Sequence, residues 1–474
     1  MPRFSEYFKL GVSQHELDFV DISNEEDTSV YVDPYAIEIK NDNWSQAASE
    51  SIRVFFKEVL DSLRDGDLAR AEGLMSHLTE PKETFLGVSR GEPKGRGVGR
   101  GQARQLITAM RGSKAFQSGL LSDLSEMALY VEGIDRDKIS DLTTNIIRDL
   151  LVEYTQEQCE LYGIDTDDYN GPAFWNCQAQ NWESRLVQLP YIQGAPVMLV
   201  PKYIVRKNLS LNSQEFYNKQ ITDFLVAENM KANSSLVQTI KGKRVVYKTA
   251  VREENPKSKS MIADMVRAHP DLLDLYKDIA SKQGALLTIR DGIPSIHSVC
   301  SSLSAALLKI DPGRNDADRY HRLVMGVLTT LFYPKLIQPH LEWKINSGRK
   351  RIDIVFTNAA DTGFFAQRRS DHKVNANSII VECKNYSKDI ANQEIDQLLG
   401  RFDENRGRFG ILTCRSIDDE KILRERCKDA SSRSRGYIIV LTDDDLIYML
   451  RAKAEMRDDE IEGKLHSMYR RLLE

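Results

Sequence analysis

Two short strings place charge inside otherwise apolar runs: Arg351-Ile352-Asp353-Ile354-Val355-Phe356 and Ile379-Ile380-Val381-Glu382-Cys383-Lys384-Asn385-Tyr386. Both read as β-strands from their length and β-branched content. A lone buried carboxylate costs several kcal/mol unless it is paired or bound to metal. Residues two apart on a strand share a face, so Glu382 and Lys384 point the same way while Val381 and Cys383 point into the opposite layer. Two acids and a lysine on neighbouring strands suit metal-assisted hydrolysis of a phosphodiester. Carboxylates hold a hard divalent ion such as Mg2+; the ion lowers the pKa of a bound water and polarises the phosphate. A lysine beside it orients or deprotonates that water and offsets charge in the transition state. On this reading Asp353, Glu382 and the backbone carbonyl of Cys383 hold the ion, and Lys384 positions the water. A structural salt-bridge cluster at a sheet edge is the alternative.

The surrounding periodicity says what would position these residues. Apolar spacing predicts a helix over 318–332, an extended segment over 335–345 and strands over 351–356 and 379–383. A helix over 392–402, a strand over 409–414, a helix over 419–430 and a strand over 437–441 follow. The order αβββαβ, then αβ, predicts a mixed sheet flanked by helices.

This ordered set resembles the PD-(D/E)xK, or restriction-endonuclease-like, superfamily. The resemblance is carried by Asp353 on one strand, by Glu382-Cys383-Lys384 on the next, and by the helix Asn392-Gln393-Glu394-Ile395-Asp396-Gln397-Leu398-Leu399, which looks like the glutamine-bearing helix of the Mrr-like branch. It spans roughly residues 314–452 and implies Asp353, Glu382 and Lys384 as catalytic core. It also implies that Gln397 faces the site, with Gln393 one turn away as competitor. An acid on the preceding helix or strand often completes such sites; Asp318 and Glu342 are the candidates. Ile352 stands where the family's name has proline. The long interval between Asp353 and Glu382, with Gly363-Phe364-Phe365 and Arg368-Arg369-Ser370-Asp371-His372-Lys373, reads as an inserted loop able to contact substrate. The resemblance implies a Mg2+-dependent deoxyribonuclease, with Mn2+ as substitute. It further implies DNA as partner, a homodimer, and bacterial defence against foreign or phage DNA alongside partner proteins. A repair or recombination nuclease on branched or damaged DNA is one alternative. A catalytically silent nucleic-acid-binding scaffold is another.

Arg349, Lys350 and Arg351, and Arg368, Arg369 and Lys373, are candidate phosphate contacts, against the reading of a solvated surface. Net charge is −5 over 474 residues, which argues against a purely charge-driven, histone-like binder but leaves room for local basic patches. The loop Gly91–Gly101 is basic and glycine-rich, a connector or an anion cradle, but no Walker A spacing follows. The histidines show no HxH or HExxH spacing. Trp175 and Trp182, with Tyr169 and Phe174, read as an aromatic core rather than a base-stacking platform. The acids Glu16, Asp18, Asp21, Asp27 and Asp33 read as a polar strand edge and turn rather than a metal site.

The expected architecture is α+β overall: a mostly helical domain over 1–165 with a small β element, a mixed middle domain over 166–305, and the α/β nuclease-like domain over 306–474. The N-terminus lacks a signal-peptide apolar region, no apolar stretch is long enough to span a bilayer, and six scattered cysteines form no CxxC. A cytoplasmic protein with no membrane partner is expected.

Overall fold

The apolar runs of the C-terminal third form one five-stranded sheet in the computed structural model, which describes residues 2–23, 28–87, 100–241, 243–282, 284, 294–345, 349–386, 389–432 and 435–474. Helices α1 (Ile296–Lys309) and α2 (Ala317–Phe332) precede β1 (Leu336–Ile345) and β2 (Lys350–Asn358). Helix α3 (Gly363–Ser370), β3 (Ser378–Lys384), α4 (Asn392–Leu399) and β4 (Phe409–Cys414) follow. The chain ends with α5 (Glu420–Ser432), β5 (Tyr437–Thr442), α6 (Asp443–Ala454) and α7 (Asp458–Arg470). The strand order is β1-β2-β3-β4-β5. β1–β2 and β2–β3 are antiparallel, and β3–β4 and β4–β5 are parallel. The fold is therefore α+β with a mixed sheet, as the alternation of elements predicts. Every residue of β4 is buried and β3 is buried from Ile379 to Cys383, the pattern of parallel strands covered on both faces.

Two local devices fix this arrangement. Thr442 and Asp445 form a capping box that starts α6 directly at the end of β5: Thr442 N–H donates to Asp445 at 2.9 Å and Asp445 N–H to Thr442 Oγ1 at 3.2 Å. In β1 the register with β2 shifts between Ile337 and His340. Gln338, at φ 49, turns its N–H away from the ladder to Asp18 Oδ1 at 3.1 Å, a bulge whose freed donor is satisfied.

Contacts divide the chain into two compact units. One holds residues 22–160 and 164–289; the other holds 2–21, 161–163 and 290–474 with the sheet. The expected middle domain is thus continuous with the helical one, and residues 2–21 join the C-terminal unit. Asp18 at the bulge and Phe4 packed on Phe19 show how. Leu17, Phe19 and Val20 are all buried, and no strand forms over residues 17–22.

The other unit is mostly helical. Asp42 caps Asn43–Arg64, whose buried face carries Ile52, Phe55, Phe56, Val59 and Leu63 as their spacing predicts. Its small β element pairs Tyr31–Val32 with Val205–Arg206. One short hairpin turns at Gln193-Gly194, pairing Tyr191–Ile192 with Ala195–Pro196; φ of 51 and 83 at its two turn residues is the combination a type I′ turn requires. Trp175 and Trp182 pack on Phe55 at 5.0 and 5.7 Å, an aromatic core. Asp21 and Asp33 accept bonds from Ser5 and Ser210, consistent with structural roles. Residues 91–99 of the glycine-rich loop, and Asp27, lie outside the described residues. All six cysteines are free.

The segment read as an inserted loop is helix α3. Phe364 and Phe365 are fully buried, Phe364 N–H donates to Glu462 at 2.7 Å, and Arg368 lies 3.8 Å over the Tyr469 ring. The turn entering β4 is as tightly built. Asp403 Oδ1 accepts the N–H groups of Asn405 and Arg406 at 3.0 and 2.8 Å. Gly407 follows at φ 99, where a Cβ would fall 2.3 Å from Asn375 O. Gly407→Ala combines a forbidden backbone region with a clash against main chain, so it is expected to destabilise the C-terminal unit by at least about 1–3 kcal/mol, read as a lower urea midpoint. An unchanged midpoint would mean that this turn does not set the β3–β4 register.

Candidate active site

The β2–β3 ladder ends at the pair Ile354 with Val381. One residue further on, Asp353 leaves the ladder and its Oδ2 accepts the Cys383 N–H at 2.8 Å. Glu382 is fully buried. Its Oε1 accepts from Lys384 Nζ at 2.9 Å, and the same ammonium donates to Gln397 Oε1 of α4 at 3.0 Å. Four residues named from the sequence, Asp353, Glu382, Lys384 and Gln397, therefore meet at one end of the sheet. Gln393 is exposed; Ile395, Leu398 and Leu399 are the buried face of α4, and that rotation selects Gln397.

Burial pushes the Glu382 carboxyl above its usual range and the Asp353 charge adds to this, while Lys384 and then Arg401 pull it back. Oε2 of Glu382 is buried with no hydrogen-bond partner among the described residues. Such an atom is costly unless something electropositive faces it. Asp353 beside it supplies further oxygen donors, so the set fits a divalent cation. Cys383 presents its N–H to Asp353, and its thiol is held well above its ordinary range by burial, then by the Asp353 charge.

The sequence reading missed His321. It sits on α2 with Nε2 3.9 Å from Asp353 Oδ2, both side chains 16% exposed. Its ring nitrogen, the Asp353 carboxylate and Cys383 Sγ all lie within 4.8 Å of one another. Asp318, proposed as the completing acid, is exposed one turn earlier on the same helix. Glu342 is exposed and ion-paired to Arg351 at 3.1 Å.

The reading also missed a buried network beneath the site. Asn385, Arg415 and Asp443 follow directly on the C-terminal ends of the parallel strands β3, β4 and β5. Arg415 donates to Asp443 at 2.8 Å, Asn385 Oδ1 at 3.1 Å and Leu307 O at 3.0 Å. Tyr320, next to His321, donates to Asp443 at 3.0 Å. Tyr386 donates to Glu394 at 2.6 Å, and Glu394 in turn caps α4 by accepting Ala391 N–H at 2.9 Å. The network thus holds α2, β3 and α4 in place around Asp353, Glu382 and Lys384.

The six basic residues separate into two groups. Arg349, Lys350 and Arg351 are exposed at the start of β2, close to Asp353; Lys350 donates to Gly400 O at 2.9 Å. Arg368, Arg369 and Lys373 belong to the connection between the end of β2 and the start of β3. That is the far end of the sheet, about 17 Å away along β2 at ~3.4 Å per residue. Arg368 is buried against Tyr469 and Phe364, and Arg369 donates to Asn358 O at 2.8 Å. As a group these three do not reach the site: once the segment is a helix, the stem of Arg368 packs as an apolar surface.

Residues 9–212 match a domain of unknown function (DUF8370). That stretch ends before the sheet begins and holds none of the site residues. No curated protein and no solved structure matches the chain. Among the described residues, no helix is long and apolar enough to cross a membrane.

Burial pushes the Asp443 carboxyl up from 3.8 to about 6, against the pull of Arg415 and the Tyr320 hydrogen bond. The folded state then binds this proton more tightly than the unfolded one, so its contribution to stability falls as pH rises through roughly 4 to 6. Urea unfolding across that window should show the decline in the native protein and a flatter profile in Asp443→Asn. Equal slopes would mean that Asp443 does not titrate there.

Proposed function

We propose that the C-terminal unit is a metal-dependent endonuclease of PD-(D/E)xK type that hydrolyses DNA. The observation that carries this is the position of Lys384, clamped between Glu382 and Gln397 with Asp353 and the orphaned Glu382 oxygen beside it. An ammonium has three donors. Two are committed to fixed acceptors, which leaves the third for a water or a phosphate oxygen. Asp353 and Glu382 would hold Mg2+ or Mn2+, which when bound supplies Lewis-acid polarisation of the phosphate and a more acidic water. The chain's own part is positional. Gln397 and Glu382 fix the direction of Lys384, and Lys384 steers the attacking water and offsets phosphate charge. Attack forms the new P–O bond as the bond to the departing sugar oxygen breaks; the proton released by the attacking water passes to solvent, and solvent water protonates the departing oxygen. Arg349, Lys350 and Arg351 would meet the flanking phosphates. The role in defence against foreign or phage DNA rests on the resemblance and is part of the same proposal, as are a homodimer that cuts both strands and accessory partner proteins.

Plasmid cleavage tests this. The native protein should cut DNA only with Mg2+ or Mn2+. Lys384→Ala and Asp353→Ala, shown to fold, should each lose about 10²–10⁴-fold, the range of a positioned acid–base group. Metal-independent cutting, or full activity in both variants, would overturn the proposal. A folded native protein that binds DNA and cuts neither DNA nor RNA would leave a silent nucleic-acid-binding scaffold in its place.

A further inference from the structure

His321 has no hydrogen-bond partner among the described residues, yet it is only 16% exposed and its Nε2 points within 3.9 Å of Asp353 Oδ2. The separation is too long for a hydrogen bond. It is within about an ångström of the spacing that two donors adopt when each stands ~2.0–2.1 Å from one ion. Glu382, whose carboxyl feels the Asp353 charge, has its own unpartnered, fully buried oxygen. His321, Asp353 and Cys383 thus bring one donor atom each within 4.8 Å of one another, and an unpartnered oxygen belongs to the residue next to Cys383.

We infer that His321 is a ligand of the same metal centre, and that its nitrogen makes the site select a first-row transition ion such as Mn2+ or Co2+ over Mg2+. This rests on the metal-dependent reading of Asp353 and Glu382 and deepens it by naming the ion class. Mg2+ is a hard ion that favours oxygen ligands and gives up its waters reluctantly. An imidazole adds a borderline donor that first-row transition ions accept more readily. The helix that carries His321 is held in rotation by Tyr320, its neighbour, through the bond to Asp443. The ring therefore reaches Asp353 without an ordering step at binding. The thiol of Cys383 lies in the same cluster, and its side chain leaves β3 on the opposite face from Glu382.

The test is metal affinity, measured on the full chain with the ions alone. Mn2+ binding is followed by the loss of free-ion paramagnetic resonance signal, and Mg2+ binding by competition against it. The native protein should bind Mn2+ at least tenfold more tightly than Mg2+. His321→Ala should lower Mn2+ affinity more than tenfold and Mg2+ affinity less than threefold. His321→Asp, which restores an oxygen donor, should move the preference toward Mg2+ and guards against misreading a folding defect. An unchanged Mn2+/Mg2+ ratio in both variants overturns the inference, and cleavage supported by Mg2+ would then still leave the nuclease reading intact. Conversely, Mn2+ held through His321 in a protein that cleaves nothing would uphold the ligand and remove the nuclease.

Discussion

A carboxylate with no exposure to water is the constraint on which this half of the molecule depends. Glu382 sits in a central strand between two others, so water cannot neutralise it. The main relief comes from Lys384, two residues along the same strand, with a smaller pull from Arg401, and the lysine is in turn held by Gln397 on a neighbouring helix. A buried pair of this kind contributes little net stability, because desolvation offsets most of the attraction. Retaining it makes sense where local charge has a purpose. The apolar packing of β3 and β4 supports that arrangement, and the layer of Asn385, Arg415 and Asp443 below it keeps the strand ends from fraying.

Much of this was legible in the sequence, and the reasons differ by element. Four of the strands announce themselves as apolar, β-branched runs, while β1, with Gln338, Pro339, His340 and Glu342, reads only as extended chain; the alternation with helices gives a mixed sheet. Asp353, Glu382 and Lys384 stand out because each is a charge inside such a run. Gln397 and Gln393 could not be told apart, since they lie one helical turn apart; only the burial of Ile395 and Leu398 against the sheet decides. His321 gave no signal because a single histidine on an amphipathic helix has no spacing to read. Asn385, Arg415 and Asp443 are far apart along the chain and become a set only when three strands are known to be parallel and adjacent.

Helix α3 was hidden for another reason. Two adjacent phenylalanines followed by a basic run lack helical period, so the eye takes Arg368 and Arg369 for surface charge. The fold instead uses the guanidinium of Arg368 as a flat lid over Tyr469. The cations are thereby sorted by sheet end. Those beside Asp353 remain in water, whereas near α3 Arg368 is absorbed into packing, Arg369 is tied to main chain and Lys373 stays exposed. A basic cluster in sequence is thus weak evidence of an electrostatic surface until its connection is placed relative to the strand ends.

The bond between Tyr320 and Asp443 also carries a consequence for the order of events during synthesis. The strand with Glu382 and Lys384 leaves the ribosome well before β5 and the helix that starts at Asp443. Until that last segment emerges, Arg415 lacks its carboxylate partner and the helix bearing His321 lacks its anchor. A nascent chain therefore carries the acidic and basic side chains of the site without the frame that aligns them. If the unit cuts DNA, the alignment of its site waits for β5 and the helix that begins at Asp443.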